Sequence, residues 1–183
     1  NGTGGLSPFD GSYKLELDSH PQAQARPLVL QTVETCAGGI YELSFAFAER
    51  QGAGDGSSSF ELSWGGALVA TFTKAGNATT WTVTDANGAD TVSAAITLNS
   101  DAGWATAKVT GLVGDGSDAV GFQSVANQTN TFGGFIDSVS LKATYNSYVV
   151  TGGDRLNPGG LDNARDTIEF AKGDGFDIVT GFD

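Results

Sequence analysis

Acidic side chains near the ends of predicted strands are the first residues that could do chemistry. In FIDSVSL, residues 135–141, strand alternation places Asp137 on the same face as Phe135, Val139 and Leu141. A carboxylate on an apolar face is costly unless a cation or several N–H donors satisfy it. Calcium suits such a site because it takes about six to eight oxygen ligands. The other strand-end carboxylates that could converge there are Glu16, Asp18 and Glu49. In the alternative interpretation, Asp137 caps a turn or pairs with Arg50.

A second group of acidic residues lies among the glycines of the C-terminal part. The sequence GDGFDIV at 173–179 fits the core of the calcium-binding nonapeptide repeat, and residues 166–168 look like a degenerate copy. The stretch resembles the RTX region of secreted bacterial proteins, which implies calcium ligands at Asp166, Asp174 and Asp177. An acidic solvated tail or an edge hairpin is the alternative. The sequence GDGSD at 114–118 fits the same short pattern and is predicted to be a turn between strands.

The element that must position these groups is the strand Ile40–Arg50. Its residues Tyr41, Leu43, Phe45 and Phe47 alternate with smaller or polar ones, which predicts a strand with one wholly apolar face. Such a face needs a partner surface, and the natural one in this chain is a second sheet packed about 10 Å away. The other predicted strands are Tyr13–Asp18, Leu28–Glu34, Phe60–Trp64, Leu68–Thr73, Thr80–Thr84, Val92–Leu98, Trp104–Thr110, Ala119–Val125 and Phe135–Lys142. Together they predict an all-β protein, an antiparallel β-sandwich of the jelly-roll type.

The chain length and a change of composition predict the domain organisation. With 183 residues, one principal core is expected. The alternating pattern breaks after Ala143, which predicts a β-sandwich domain at 1–145 and a Gly/Asp-rich β extension at 146–183. The segment Tyr145–Thr151 has strand character without a neighbouring partner in sequence, and we expect it to fill an open sheet edge in its own molecule or the next. The chain opens at Asn1 without Met or an apolar leader, so we expect a processed form or a piece of a longer protein.

Charge and composition narrow the classes of function. The chain has 9 basic and 21 acidic residues, for a net charge of −12, which disfavours nucleic acid and anionic membranes and favours divalent cations. No apolar run approaches the roughly 18 residues of a membrane span. Cys36 is alone, so no internal disulfide is possible, and we expect it at a turn. The single His20 and the lack of hydrolase motifs predict no enzyme and no catalytic residue, although a two-carboxylate glycosidase stays open.

Four segments in succession carry a resemblance to a known family. They are DGSYKLELDSH at 10–20, LVLQTVETCAGGIYELSFAFAER at 28–50, SSSFELSWGGALVATF at 57–72 and GGFIDSVSL at 133–141. Residues 9–143 resemble the jelly-roll, carbohydrate-binding-module-like domains of bacterial RTX adhesins and secreted polysaccharide-degrading enzymes. The resemblance implies a lectin-like and calcium-stabilised module, secreted or attached to the cell surface, that binds an extracellular glycan or another surface ligand without catalysis. The family's leading strand is missing before Phe9.

Sugar sites combine an aromatic ring with polar side chains, which defines the candidate ligand residues. They are Arg50, His20, Asn130 and Trp104, with Trp64, Trp81 and Asn127 as further candidates. Arg50 is preferred because it follows the central strand at its loop end. In the alternative interpretation, the Trp residues belong to the core and His20 is solvated. The alternative function is a self-assembling subunit of a bacterial surface layer or filament, joined by strand exchange into a homo-oligomer.

Overall fold

The computed structural model describes residues 5–17, 26–50, 58–74, 81–86, 95–101, 103–125, 133–150, 155–156, 165–170 and 178–179. For 95–101 and for all residues from 145 onward, it describes the backbone alone. The strands in this part of the chain are β1 (Leu15–Leu17), β2 (Leu28–Glu34), β3 (Ile40–Ala48), β4 (Phe60–Trp64), β5 (Ala67–Thr73), β6 (Thr82–Asp85), β7 (Ala95–Asp101), β8 (Trp104–Val113), β9 (Ser117–Ser124), β10 (Gly134–Val150), β11 (Arg155–Leu156), β12 (Arg165–Phe170) and β13 (Ile178–Val179).

Ten of the described strands form two packed antiparallel sheets. Sheet I has the order β1-β10-β3-β8-β7, and β12 joins it by pairing in parallel with β10. Sheet II has the order β2-β9-β4-β5-β6. A separate pair is formed by β11 and β13. The predicted all-β sandwich of jelly-roll type is therefore confirmed.

The core between the sheets is built on β3, as the alternation predicts. Its four inward side chains, from Tyr41 to Phe47, are at most 7% exposed. Phe45 contacts Phe122 of sheet II edge-on, with ring centroids 5.0 Å apart. Phe60 and Phe72 stack at 4.7 Å with their planes 5° apart. Such aromatic pairs contribute about 0.5–1.5 kcal/mol beyond the area they bury, so the rings fix how the sheets face each other.

The turn between β4 and β5 has the geometry that its sequence predicts. Gly65 and Gly66 have φ angles of 57° and 85°, a left-handed conformation that glycine adopts without strain. Two successive residues of this kind make the hairpin turn whose twist matches the flanking strands. The glycine pair therefore closes the β4–β5 hairpin, as two glycines between alternating strands typically do.

The longest strand, β10, is longer than the predicted strand Phe135–Lys142 and contains a bulge near its start. It continues from Gly134 to Val150, so the predicted domain boundary at 145/146 falls inside it. The segment from residue 145 to 150 extends β10 and pairs with β12, rather than forming a separate strand. Near its start, the register with β3 shifts between Asp137 and Ser140, and Ser138 has a φ of 50°. This bulge reverses the inward and outward alternation of the following residues.

Candidate functional site

An N-terminal strap, residues 5–14, crosses the outer face of sheet I. The indole N–H of Trp104 donates to the carbonyl oxygen of Ser7 at 3.0 Å. The Phe9 ring meets the Trp104 ring edge-on at 5.9 Å. The ammonium of Lys14 lies 4.0 Å from the centroid of the Phe135 ring. These contacts hold the strap against the sheet over a second apolar cluster.

This second cluster buries a residue that the sequence nominates for ligand stacking. Its members are Ala46, Ala48, Trp104 and Phe135, with Leu6 of the strap packed against them. Trp104 is 5% exposed, so its ring cannot stack on a sugar while the strap is in place. The other two tryptophans also contact the protein. Trp64 donates to the carbonyl oxygen of Val113 at 2.8 Å, and Trp81 packs edge-on against Phe47 at 4.9 Å.

Asp137 fastens the strap to the sheet. Its carboxylate accepts hydrogen bonds from the backbone N–H of Phe9 at 2.8 Å and of Ser138 at 2.7 Å. These are the N–H donors that the sequence argument requires if no cation is present. Asp137 does not share a face with Val139 and Leu141, because the bulge intervenes. Those two side chains line a groove at the side of the core, so the predicted single face is wrong at these two positions.

Beside the strap lies a surface depression of about 210 Å³ with mixed polar and apolar walls. One wall is the ring of Phe9, which is 44% exposed. The lining residues are Phe9, Ser44, Phe45, Ala46, Thr106, Ala107, Lys108 and Ser138. Strand register aligns Ser140, Ser44 and Lys108 across β10, β3 and β8, so hydroxyl groups and an ammonium group lie side by side. We call this feature the strap depression.

An ion pair borders the strap depression. The ammonium of Lys108 lies 2.9 Å from Oε1 of Glu42, and the Lys108 side chain is 54% exposed. The pair supplies N–H donors and a carboxylate acceptor next to the hydroxyl groups. An apolar ring beside a few polar groups of both kinds is a typical composition for a small-molecule or carbohydrate site.

Three ion pairs lie near the end of the sandwich where β3 stops, and two of them include charged groups that the sequence nominates. Arg50 pairs with Glu16, with its Nη1 2.5 Å from Oε1, and Lys74 pairs with Glu49, with its Nζ 2.5 Å from Oε2. Arg26 pairs with Glu61. The predicted convergence of Glu16 and Glu49 on Asp137 is not seen, since each of these carboxylates faces a basic side chain.

The calcium prediction rests on residues that the structure only partly describes. Within the described ranges, no group of three or more His, Cys, Asp or Glu side chains is placed to hold a metal ion. Asp166 lies in β12, where the backbone alone is described. The remaining predicted metal or ligand residues lie outside the described residues, and they are Asp18, Asp174, Asp177, His20, Asn127 and Asn130. Calcium binding therefore stays a prediction.

A buried carboxylate that the sequence argument missed lies at the GDGSD stretch. This stretch is a turn leading from β8 to β9, as predicted, and Asp118 is 3% exposed. Its Oδ2 accepts from the hydroxyl of Thr35 at 2.5 Å and from the backbone N–H of Asp115 at 2.9 Å. Nearby, burial raises the pKa of Tyr41, whose hydroxyl oxygen accepts from the N–H of Cys36 at 2.7 Å. These bonds stabilise the two turns rather than forming an open site.

Comparisons with known proteins supply no identity for this fold and site. No protein-family model matches the chain, and neither the curated proteins nor the solved structures gave a match. The part of the chain that the structure describes contains no helix that could span a membrane.

Proposed function

We propose that this chain is a non-catalytic, lectin-like module that binds an extracellular glycan in the strap depression. The observation that carries the proposal is the half-exposed ring of Phe9 beside the hydroxyl groups of Ser44, Thr106 and Ser138. An aromatic ring contacts the apolar face of a pyranose, while hydroxyl and charged groups at its edge bind the sugar hydroxyls. The strap depression combines these two elements on a rigid sheet.

The charges around the strap depression favour a neutral glycan. The net charge of −12 repels polyanions, and the ammonium of Lys108 is already paired with Glu42. A sulfated or uronate-rich chain would therefore lack an unpaired cation in the lining of the depression. A neutral sugar can use the same ion pair as a donor and an acceptor.

The proposal includes the setting that the family resemblance implies. The module would belong to a secreted adhesin or polysaccharide-active protein, and calcium would stabilise it through the Gly/Asp-rich tail. Arg50 remains a candidate at the loop end of the sandwich, where its pairing with Glu16 holds its guanidinium in place. Arg50 does not line the strap depression, so a ligand bound at Arg50 would occupy a different place from one bound in the depression.

A glycan array of neutral and acidic polysaccharides, with calcium present, tests this function. We expect retention of a neutral glycan without release of reducing sugar. Phe9→Ala should weaken binding by roughly fivefold, which corresponds to about 1 kcal/mol of ring contact.

The control is Tyr13→Ala, because Tyr13 is 85% exposed on the same strap but does not line the strap depression. Equal losses in both variants, or no binding by the wild-type chain to any glycan, would count against the proposal. A third variant, Ser44→Tyr, fills the depression from β3 rather than from the strap and should abolish binding.

A further inference from the structure

The strap is a compact loop that is bound to sheet I from outside. The described residues 5–14 contain no strand, and the strands beneath them pair with one another, β10 with β3 and β3 with β8. The ammonium of Lys14 donates to the carbonyl oxygen of Leu6, which ties the end of the strap to its beginning. Surface loops that close on themselves in this way are frequently functional. The strap can therefore leave the sheet as one unit while these strand pairs stay intact.

The carboxylate of Asp137 bridges the strap and the sheet at the strap depression. Its Oδ2 accepts from the N–H of Phe9 at 2.8 Å, and its Oδ1 accepts from the N–H of Ser138 at 2.7 Å. Both donor residues line the strap depression, Phe9 from the strap and Ser138 from β10. Hydrogen bonds to a charged acceptor are roughly twice as strong as those between neutral groups. One carboxylate therefore fixes two walls of the depression relative to each other.

The bulge in β10 makes this bridge possible. In a regular strand, the neighbours Asp137 and Ser138 would point to opposite faces of the sheet. Here Ser138 has a φ of 50°, an unfavourable conformation for a residue other than glycine, and both residues contribute to the outer face. Bulges and strained residues are common next to functional sites, where they re-aim side chains. The strained residue of sheet I thus lies where the strap meets the depression.

A second bond between strap and sheet involves no atom of Asp137. The indole N–H of Trp104 donates to the carbonyl oxygen of Ser7, next to Leu6, which packs on the outer apolar cluster. Trp104 is 5% exposed beneath the strap. The indole N–H therefore reports whether the strap is docked, even in a variant that changes Asp137.

We propose that Asp137 is a positioning residue that latches the strap as a movable wall of the strap depression, and that glycan binds only while the strap is docked. This coupling rests on the proposed function, whereas the latch does not. When the strap leaves, the depression loses its Phe9 wall and Trp104 becomes exposed. A ligand that binds only the docked state stabilises that state, and docking raises the affinity for the ligand by the same factor.

Hydrogen exchange of the indole N–H groups, followed by NMR on the full chain, tests the latch without a ligand. Asp137→Ala should speed exchange at Trp104 at least about tenfold, because the strap opens more often. Trp64 is the internal control, since its indole N–H is bonded to the carbonyl oxygen of Val113 in the core between the sheets, and it should keep its rate.

The matched control variant is Asp10→Ala. It also removes a carboxylate of the strap, but one that accepts from Gly11 of its own turn rather than holding the sheet. It should leave both indole rates nearly unchanged. Asp137→Asn keeps one acceptor oxygen and should give an intermediate rate at Trp104, which tests the latch even if Asp137→Ala does not fold. Circular dichroism of each variant shows whether the fold is kept.

Two results of this experiment would overturn the latch. The first is an unchanged rate at Trp104 in both Asp137 variants, which would mean that the strap is held without the carboxylate. The second is equal acceleration at Trp104 and Trp64, which would mean that the whole sandwich is loosened rather than the strap.

A neutral glycan retained by the array tests the coupling. At a hundredfold excess over its Kd, it should slow exchange at Trp104 by about a hundredfold in wild type, and exchange at Trp64 should not change. Bound glycan without protection of Trp104 would overturn the coupling. If no glycan binds, the proposed function and the coupling fail together, while exchange at Trp104 still decides whether Asp137 latches the strap.

Discussion

Glu49 and Lys74 join the two sheets at the end of the sandwich. Each residue comes directly after a core strand, β3 in sheet I and β5 in sheet II, and Oε2 lies 2.5 Å from Nζ. Their side chains are 21% and 18% exposed, so water screens the pair less than it screens a surface pair. The ion pair therefore closes the core where both strands leave it.

Removing one charge of this pair should lower stability. Glu49→Gln leaves the Lys74 ammonium without its carboxylate partner, and we expect a loss of about 1 kcal/mol, which falls as salt is added. Glu42→Gln is the control, since the partner Lys108 is 54% exposed, and its loss should be smaller. Urea unfolding at two salt concentrations measures both. Equal effects of the two changes would show that the sheets do not depend on the part-buried Glu49–Lys74 pair.

Gly121 of β9 is closely approached by two side chains of neighbouring strands. A Cβ built there would lie 2.3 Å from the hydroxyl oxygen of Ser63 and 2.7 Å from Cδ2 of Leu30. Both atoms end flexible side chains that can rotate aside, so Gly121→Ala should cost about 0.5–1.5 kcal/mol, the usual cost of displacing a side chain from its rotamer. Adding Ser63→Ala should restore part of that loss, measured by thermal unfolding. If the second change restores nothing, the clash with Ser63 does not cause the destabilisation.

Alkaline pH should destabilise the fold through Tyr41. Burial raises its pKa above the ordinary 10.0, which means that the folded state favours the neutral phenol. A raised folded pKa gives stability that is complete below the unfolded value of 10.0 and is lost as the pH rises through the folded value. Urea midpoints measured from neutral to strongly alkaline pH should fall more steeply in wild type than in Tyr41→Phe. Parallel profiles would contradict this assignment.

Calcium should raise the melting temperature if the Gly/Asp-rich tail binds it. Ligand linkage gives about 2.7 kcal/mol at a hundredfold excess over Kd, and chelation removes it. Replacing Asp174 and Asp177 with Asn should abolish the calcium effect. Asp115→Asn, within the similar GDGSD turn, should leave it unchanged. A melting temperature that does not respond to calcium in wild type would remove the support for this part of the proposal.

The sequence predicts the core well because β3 carries four large apolar side chains at strict two-residue spacing. Such a face must be covered by another layer of the fold, and in a chain without helical patterns that layer is a second sheet. Alternation separates the two faces of a strand, but it does not show which of them another part of the chain covers. For this reason the sequence does not predict that Phe135 and Trp104 form a buried cluster on the outer face of sheet I. The residue with positive φ at the bulge is Ser138 rather than a glycine, so the sequence gives no signal of the bulge. Simple alternation therefore places Val139 and Leu141 on the wrong face.

The candidate site was predicted less well because long-range contacts create it. Asp137 binds the backbone of Phe9, which is 128 residues away in the chain, and no local pattern predicts that contact. Ser44 could have been identified as a site residue from the sequence, because alternation places it on the polar face of the central strand. The ion pairs of Arg50 and Glu49 depend on which strands are neighbours in the folded sheets. The positions of strands in the sequence do not determine that order.

The continuity of β10 has a mechanical consequence for the whole chain. Its 17 residues run from the middle of sheet I to the start of the Gly/Asp-rich tail, a length of about 55 Å at ~3.3 Å per residue. A force applied to the tail would act along the axis of β10, and the hydrogen bonds between β10 and β3 would bear it in shear. Because those bonds would share the tension and break together rather than one after another, the sandwich would resist force applied through its C-terminal end.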